Sequence, residues 1–529
     1  MGNEEASMSA KTGEHGFFSS GYEQKRWVKV LSFLLSFAIC IAVAYIYCSS
    51  KRIFDVDESL TFSLANEQTA GWVSYEPKGW FLRSVFSEYT ATVPFSYSQV
   101  FVNQALDVHP PFYYLIIHTI CSLMPGSFSV WYGLGLNLLL FLMNAILFYR
   151  ILYKATDHCI AAGVGMVLYC LNFRILEGMI FIRMYQLTST LVLIFFLIGR
   201  RIADREGSID KIDFIFLTLV TILGGLTHYF FYFAIAACSL FFGIVLICRK
   251  RWAALICSAA CVIGALCLNL LVFFPATRDH LFSEGSSGVH GQFVLTKLQS
   301  LTFDWDRLKY FVNHAWGGSL GFRLGLALLV LGVILLAVKR NRRYLWGVLA
   351  LSSYYLNFLI VSQTATYLRP RYLLPMEAVG ILGVMLVLAD VMEIMSLRDI
   401  AFMPLLIMVF MESDFGKMTQ YLQSRPSWEY AAEHRDQICV IVTDGNLPDY
   451  CINTSFPDLM QYKATGMTTL GESLLTIPEE DFILYSAKNL SRKKVMNYIR
   501  SELPDADVQF ADPELFTAEF YVYEVMVND

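Results

Sequence analysis

Five short groups of residues in this 529-residue sequence carry side chains that could bind or transform a substrate. In chain order they are Asp55-Val56-Asp57-Glu58, Asp107-Val108-His109-Pro110-Pro111-Phe112-Tyr113-Tyr114, Arg183-Met184-Tyr185-Gln186, Thr227-His228-Tyr229 and Arg369-Pro370-Arg371-Tyr372-Leu373-Leu374-Pro375. Carboxylates and imidazoles can move protons or bind cations, and a guanidinium offers a planar fork of donors that fits phosphate oxygens. These residue types therefore suit chemistry on a substrate that bears a phosphate.

Taken singly, each group also has a simple structural explanation. Neighbouring carboxylates are usually part of a solvated loop. A proline that starts a helix beside aromatic residues is typical of a membrane interface, and an arginine there usually extends to lipid headgroups. A functional interpretation needs evidence that the groups share one location, which depends on how the chain is organised.

The composition is that of a membrane protein. Hydrophobic residues make up 56% of the chain and charged residues only 16%, and the mean hydropathy is +0.50. A soluble protein of this length could not bury so much apolar surface, so lipid must be its solvent. The net charge of −5 indicates little about partners, because the placement of lysine and arginine matters more than their sum.

Clusters of lysine and arginine separate long apolar runs, and the positive-inside bias assigns these clusters to the cytoplasm. Eleven spans are then predicted, with segment 1–26 in the cytoplasm and the C-terminus outside. This count requires that the short run at 112–124 does not cross; if it crosses, thirteen spans are predicted. The predicted spans are residues 27–49, 128–149, 157–173, 184–199, 212–226, 230–248, 252–274, 320–338, 344–362, 371–390 and 400–412.

Three hydrophilic regions then lie outside: the loops 50–110 and 275–319 and the tail 413–529. The tail is predicted to be a small extracytoplasmic α/β domain. Its predicted strands are residues 438–443, 481–485 and 516–525, with a helix at 492–501. All five groups with chemical potential also lie on the outer face, where arginine runs against the positive-inside bias and therefore needs another reason, such as a phosphate.

In this order, the groups resemble the motifs of the GT-C superfamily of lipid-carrier-dependent glycosyltransferases. The similar branch contains protein mannosyltransferases and the bacterial transferase that adds aminoarabinose to lipid A. The matching segments lie between about residue 50 and residue 390 and are Asp57-Glu58, His109-Pro110-Pro111-Phe112-Tyr113-Tyr114, Arg183-Met184-Tyr185, Thr227-His228-Tyr229 and Arg371-Tyr372-Leu373-Leu374-Pro375. The chain departs from the aminoarabinose transferase at His109, because the corresponding motif of that enzyme is similar to Lys-Pro-Pro and not to His-Pro-Pro.

The resemblance implies a polytopic α-helical membrane protein with the GT-C fold, about 11–13 transmembrane helices in a catalytic domain at 27–412. It implies a large cavity at the outer membrane boundary that holds the carrier lipid's phosphate. Asp57 matches the family's acidic residue that acts as general base, and Glu58 matches its acidic neighbour. The loop 275–319 looks similar to the family's mobile outer loop, with Gly285-Ser286-Ser287-Gly288 as its hinge.

Transfer of a sugar from a phosphate-linked carrier needs a base for the acceptor hydroxyl and cations for the leaving phosphate. Asp57 is predicted to be the base, with a proton affinity raised by water-poor surroundings. Cations at a low-dielectric boundary would stabilise the phosphate. The residues predicted to bind substrate are His109, Tyr113, Arg183, Tyr185, His228, Arg369, Arg371 and Tyr372.

Three points of mechanism stay open in the sequence. A single base predicts inversion at the anomeric carbon, but a second carboxylate acting as nucleophile would give retention. Asp55, Asp57 and Glu58 with His109 could also bind a divalent metal. No other cofactor is predicted.

The predicted function is therefore a cell-envelope glycosyltransferase that moves a hexosyl or pentosyl group from a polyprenyl-phosphate carrier to an acceptor hydroxyl on the extracytoplasmic face. The acceptor could be a lipid, a glycan or a protein; membrane lipid is a further partner, and nucleic acid is not one. A transporter or flippase of lipid-linked or small polar substrates is the alternative, because buried charges also mark transport pathways. A non-catalytic scaffold would leave the clustering of acids and arginines unexplained.

Overall fold

A computed structural model of the chain describes a helical membrane domain and a small sheet domain. The described residues are 26–51, 56–66, 79–82, 90–205, 210–282, 289–300, 302–315, 318–339, 345–395, 430, 433–434, 437–443, 461–466, 480–487, 490–511 and 520–527. The predicted span at 400–412 and the predicted hinge at 285–288 lie outside them.

The described residues form eighteen α-helices, which are numbered in chain order. The first nine are α1 (Arg26–Ser50), α2 (Val56–Asn66), α3 (Tyr97–Leu106), α4 (Phe112–Leu123), α5 (Trp131–Thr156), α6 (Cys159–Leu171), α7 (Phe173–Ile180), α8 (Tyr185–Asp204) and α9 (Lys211–Gly225). The others are α10 (Phe230–Cys248), α11 (Trp252–Leu268), α12 (Ala276–Phe282), α13 (Val289–Ser300), α14 (Trp305–Asn313), α15 (Gly318–Lys339), α16 (Leu345–Thr364), α17 (Leu374–Met395) and α18 (Arg492–Glu502).

Within the described residues, eight helical segments are long and apolar enough to cross a membrane, and the bent pair α6 and α7 is a ninth. Ten of the eleven predicted spans coincide with helices of the membrane domain. The count of long spans is smaller than predicted, partly because α9 has only 15 residues, or about 22 Å at 1.5 Å per residue. The run predicted not to cross is the short helix α4, of 12 residues.

Asn172 interrupts the bent pair of helices α6 and α7 and changes the direction of the chain. Its backbone is extended, and its side-chain oxygen accepts hydrogen bonds from the backbone N–H groups of Arg174 and Ile175 at 3.0 and 3.3 Å. An asparagine used in this way caps the helix that follows it. The two helices therefore meet at 58°, and α7 delivers residues 181–183 to the start of α8.

A six-stranded mixed sheet combines five strands of the tail with one strand from the segment between α2 and α3. The strands are β1 (Gly79–Leu82), β2 (Ile438–Thr443), β3 (Gln461–Gly466), β4 (Phe482–Ala487), β5 (Asp507–Phe510) and β6 (Phe520–Met526), in the spatial order β1-β3-β2-β4-β6-β5. The β3, β2 and β4 strands are parallel, and the other pairings are antiparallel. The predicted strands and helix of the tail coincide with β2, β4, β6 and α18, whereas β1, β3 and β5 were not predicted.

Candidate active site

The acidic residue at the centre of the candidate site is Asp57, in the first turn of α2. Its Oδ2 forms an ion pair with Nη2 of Arg371, and its Oδ1 lies 3.9 Å from Nη2 of Arg183. The three residues come from α2, from the segment just before α8 and from the short 3₁₀ turn Pro370–Leu373 before α17. The fold therefore brings together the acid and two of the arginines that were predicted to form a site.

Arg183 is held in place by buried hydroxyl groups. Only 4% of the residue is exposed, and its Nη1 donates to the Tyr114 hydroxyl at 2.8 Å and to Thr61 Oγ1 at 3.2 Å. Close packing brings its backbone there: a Cβ on Gly133 of α5 would lie 2.1 Å from the side chain of Ile182, so only glycine allows this approach. The guanidinium therefore faces Asp57 while these two hydroxyl groups hold its position.

Glu58 belongs to a separate buried ion pair beneath the site. Its carboxylate accepts from Lys51 Nζ at 2.7 and 2.9 Å and from the backbone N–H of Ile182 at 2.6 Å. Both side chains are almost fully buried. These bonds pin the start of α2 to the segment that carries Arg183. Glu58 was predicted to be catalytic, but its contacts are those of a residue that positions the site.

This buried pair leads to a prediction on stability. In Glu58→Gln the amide can still accept from Ile182, but the Lys51 ammonium stays buried without a counter-charge, which is costly. We expect the free energy of unfolding to fall by about 2 kcal/mol, with a lower melting temperature in detergent. Adding Lys51→Met should recover part of the loss, because it removes the unpaired charge; no recovery would show that the pair is not the cause.

A second acid, Asp107, orients a histidine at the cavity wall. The His109 Nδ1–H donates to Asp107 Oδ2 at 2.7 Å, and Asp107 is buried. The backbone N–H of Phe112 donates to the Leu226 carbonyl at 2.8 Å, which fixes the start of α4 against the turn between α9 and α10. The His109 ring thereby comes within 6.2 Å of the His228 ring, measured between centroids.

Aromatic rings line the wall beside the arginines. The Tyr185 and His228 ring centroids are 5.1 Å apart, and Phe230 stacks on Tyr372 at 4.6 Å. The Phe230 backbone N–H donates to His228 Nδ1 at 3.0 Å and fixes that ring. The Arg371 guanidinium lies 5.2 Å from the centre of the Phe181 ring, a cation–π contact that orients it.

The short helices α12 and α13 lie on one side of the site. His280 of α12 is buried; its Nε2–H donates to the Ala105 carbonyl at 3.2 Å, so the neutral ring accepts from the Tyr229 hydroxyl at its Nδ1, 2.7 Å away. Burial lowers the pKa of His280, which favours this neutral form. Gly291 and Val294 of α13 reach the cavity itself. Two described residues of the loop 275–319 therefore contribute to the cavity lining.

These elements line a cavity of about 550 Å³. Its described lining residues are Asp57, Leu60, Leu64, Asp107, Val108, His109, Arg183, Tyr185, His228, Tyr229, Phe230, Tyr232, Phe233, Gly291, Val294, Thr364, Thr366, Tyr367, Arg369, Arg371 and Tyr372. Eight of the ten predicted site residues are among them. The exceptions are Glu58 and Tyr113. The Tyr113 hydroxyl is turned away from the cavity and donates to Asn137 Oδ1, with a donor–acceptor distance of 3.0 Å.

Sequence reasoning missed two residues that support the site. Tyr114, and not its neighbour Tyr113, turns toward Arg183, a choice set by the rotation of α4 that a motif does not encode. Lys51 could have been found, because it lies at the predicted outer end of the first span, against the positive-inside bias. The same argument had singled out the arginines.

The electrostatics of Asp57 differ from the prediction. Burial acts to raise the pKa of Asp57, but the neighbouring positive charges together outweigh burial, with Arg183 and Arg371 the largest of them, and the pKa is lowered. The expected increase in proton affinity is therefore wrong for the protein without its substrate. Burial also acts to raise the pKa of Asp107, and the charge and hydrogen bond of His109 outweigh it, so this pKa is lowered too. Both acids are carboxylates at neutral pH.

The described residues do not assemble the divalent-metal site that the sequence left open. No three His, Cys, Asp or Glu side chains in the described ranges lie close enough to share an ion. Glu58 is bound by Lys51, Asp57 faces two arginines, and Asp55 lies outside the described residues. The carboxylates of Asp57 and Glu58 thus serve ion pairs.

No protein-family model matches this sequence, and no curated protein has a significant similarity to it. Solved structures do match. ArnT from Cupriavidus metallidurans bound to undecaprenyl phosphate is similar with a TM-score of 0.51 and 10% sequence identity, over 94% of this chain and 98% of that chain. The apo state of the same protein matches with a TM-score of 0.50 and 10% identity, over 94% and 97% of the two chains.

The chain has the GT-C fold. The prediction of a polytopic helical membrane protein with a small C-terminal sheet domain is thereby confirmed. Because the match covers nearly the whole of both chains, the GT-C fold includes the tail as well as the membrane helices, although the sequence motifs left the tail poorly covered.

Proposed function

We propose that this chain is a membrane glycosyltransferase that moves a sugar from a polyprenyl-phosphate carrier to an acceptor hydroxyl on the extracytoplasmic face. The observation that carries the proposal is the convergence of Asp57 with Arg183 and Arg371 at the wall of one cavity. The fold it shares with a protein crystallised with undecaprenyl phosphate supports the choice of carrier.

The arginines supply the cations that the leaving phosphate needs. Arg371 and Arg369 both line the cavity, and each guanidinium can bind two phosphate oxygens at once. As the bond between the anomeric carbon and the phosphate oxygen breaks, its electron pair goes to the phosphate. Cations that are already fixed in position stabilise this growing charge more than water would, because water must first reorient.

Asp57 is proposed to receive the acceptor's proton, and donor binding would prepare it for that role. A bound phosphate competes with the carboxylate for Arg371, because both are anions that fit the same guanidinium. Loss of part of that ion pair raises the proton affinity of Asp57. The acceptor oxygen then attacks the anomeric carbon, its proton passes to Asp57, and polyprenyl phosphate leaves. A single displacement of this kind inverts the anomeric configuration.

A turnover assay tests the proposal. Purified protein would be given polyprenyl-phosphate carriers that bear different sugars, together with envelope lipids, glycans and peptides as acceptors. Release of polyprenyl phosphate with an inverted glycosidic bond in the product is expected. Intact carrier that moves across a vesicle membrane would instead identify a flippase, and retention of configuration would point to a covalent intermediate.

The ion pairs of Asp57 predict a pH dependence. The pKa of Asp57 is lowered below the usual 3.8, so Asp57 stays ionised at any pH above 3.8. Protonation of Asp57 should therefore not reduce kcat/KM between pH 7 and about 4. Removing a cation raises the pKa of a carboxyl, so Arg371→Gln should move the acid limb of the profile to higher pH. If the acid limb lies at the same pH in both proteins, the limb does not report the protonation of Asp57.

A further inference from the structure

An exposed aromatic pair stands at the start of α14. The rings of Phe303 and Trp305 meet edge to face, with their centroids 4.7 Å apart. Trp305 is 72% exposed, more than any other large hydrophobic residue that the structure describes, and Phe303 is 43% exposed. An exposed apolar patch that is rimmed by polar residues marks a surface that binds a partner.

Four hydrogen bonds clamp this pair to the end of α16. The Asp304 backbone N–H donates to Gln363 Oε1 at 2.8 Å, and Gln363 Nε2 donates back to the Asp304 carbonyl at 3.1 Å. The Arg307 guanidinium donates to the carbonyls of Ser362, at 3.0 Å, and Ala365. The last carbonyls of a helix have no partner inside it, so a side chain that binds them is held firmly. The start of α14 is therefore fixed in place.

The clamp places the aromatic pair beside the cavity. Thr364 and Thr366, on either side of one of the clamped carbonyls, both line the cavity. The Arg307 guanidinium also lies 5.3 Å from the centre of the Phe293 ring on α13, and the residue after that ring, Val294, lines the cavity too. Arg307 thus joins the aromatic pair to two parts of the cavity wall.

The polar groups around the pair suit a ligand rich in hydroxyl groups. Ser300 and Thr302 are exposed, with their side-chain oxygens 2.9 Å apart, and Asp304 lies between the two rings in sequence. Hydroxyl and carboxylate oxygens accept hydrogen bonds from sugar hydroxyls. The electron-rich face of an aromatic ring attracts the C–H groups on the apolar side of a sugar ring. Both kinds of contact are available on this surface.

Two other uses of an exposed tryptophan do not fit this surface. Tryptophan is common at membrane interfaces, but a helix that lies on a membrane presents a continuous apolar face. The exposed residues that follow Trp305 in α14 are Asp306, Lys309 and Asn313. Peptides are bound through free backbone groups or an apolar groove, whereas two backbone N–H groups at the start of α14 already donate to Asp304 Oδ1 at 3.1 Å.

We infer that the acceptor carries a glycan, and that Phe303 and Trp305 bind one of its sugar rings while a neighbouring sugar unit presents its hydroxyl to Asp57 in the cavity. This inference rests on the proposed function, and it narrows the acceptor from a lipid, a glycan or a protein to one with a carbohydrate part. The aromatic pair then sets the acceptor's affinity and takes no part in the chemical step.

Binding in the absence of a donor tests the inference. Neutral tetrasaccharides of glucose, mannose, galactose and N-acetylglucosamine would be titrated against the full-length protein in nanodiscs and followed by saturation-transfer NMR. A peptide rich in serine and threonine, of similar mass, represents a protein acceptor. We expect at least one tetrasaccharide to bind, and Trp305→Ala to weaken its binding by about tenfold, because aromatic residues contribute much of the affinity of a binding surface. Trp305→Tyr should recover most of the loss, since it keeps an aromatic face.

Trp131→Ala is the matched control. Trp131 is also exposed, at the start of α5, and does not line the cavity, so its loss should leave tetrasaccharide binding unchanged. Equal losses in Trp131→Ala and Trp305→Ala, or no loss in Trp305→Ala, would overturn the inference. Binding of the peptide and of no tetrasaccharide would overturn it as well.

Fluorescence separates a glycan surface from a membrane anchor. The chain contains nine tryptophans, so the difference between the unmodified protein and Trp305→Phe reports Trp305 alone. Iodide in the aqueous phase should quench this signal, and a bound tetrasaccharide should protect it. Lipids brominated in their acyl chains should leave it unchanged; quenching by these lipids would place Trp305 in the membrane and refute the inference.

Turnover distinguishes a failure of this inference from a failure of the proposed function. With a glycan acceptor, Trp305→Ala should raise the acceptor's KM and leave kcat and carrier affinity unchanged, because the contact is the same in the ground state and the transition state. An unchanged KM would refute the inference and leave glycosyl transfer intact. Failure to transfer sugar from every carrier would overturn the proposed function, while the titration alone would still decide whether Phe303 and Trp305 bind a glycan.

Discussion

Asp57→Asn is expected to slow glycosyl transfer by about a thousandfold, in the range that loss of a general base produces. An amide cannot take the proton of the acceptor hydroxyl. The same change frees Arg371 and Arg183 from their shared anion, so the carrier's phosphate should bind more tightly. A lower kcat combined with tighter carrier binding is the expected signature, measured by single-turnover kinetics and by equilibrium binding of polyprenyl phosphate.

This signature separates chemistry from misfolding. A damaged cavity would weaken binding as well as turnover, whereas loss of a base that competes with the phosphate strengthens binding. Asp306→Asn serves as the control, since Asp306 is exposed on α14 and outside the cavity lining. If Asp57→Asn keeps full turnover, Asp57 is not the general base. Weaker binding of the carrier would contradict the competition for Arg371.

The sequence was most informative where residue type conflicted with location. An arginine at the outer end of a membrane helix is unusual, and this conflict singled out Arg183, Arg369 and Arg371, all of which line the cavity. Such conflicts are local and can be recognised in one sequence. They identify residues that need a partner, but they do not identify the partner.

The pairings themselves depended on the three-dimensional arrangement. Asp57 and Glu58 are adjacent, yet one faces two arginines and the other is buried on Lys51. Successive residues of a helix point about 100° apart, so neighbours in a motif can serve different sites. The same rotation turns Tyr113 away from the cavity. The lowered pKa of Asp57 could not be predicted for this reason, because arginines distant in sequence cause it.

The sheet domain shows the same limit at the level of the fold. Its buried strands β2 and β4 are rich in β-branched and aromatic residues and were predicted from that pattern. The pairing of β1 with β3 joins four residues between α2 and α3 to the tail. A short strand has little pattern of its own, and a contact so distant in sequence is invisible to local propensity. The edge of the tail's sheet is thus formed by the loop that also carries Asp57.

Arg371→Ala is expected to weaken binding of polyprenyl phosphate by about a hundredfold, since a guanidinium bound to an anion in a partly desolvated site contributes several kcal/mol. Arg371 is the guanidinium best placed for this role: it pairs with Asp57, stacks against Phe181 and faces the cavity. Arg371→Lys should recover only part of the affinity, because an ammonium keeps the charge but loses the planar fork of donors.

The affinity measurement needs a control for charge alone. Arg323→Ala removes an exposed arginine of α15 that does not line the cavity, and it should bind the carrier as the unmodified protein does. If Arg371→Ala also binds normally, the phosphate must lie elsewhere. If Arg371→Lys restores full affinity, charge suffices and the bidentate geometry is not required. A graded loss from Arg to Lys to Ala is the result that requires both the charge and the fork, and it would place the phosphate where Asp57 now holds the guanidinium.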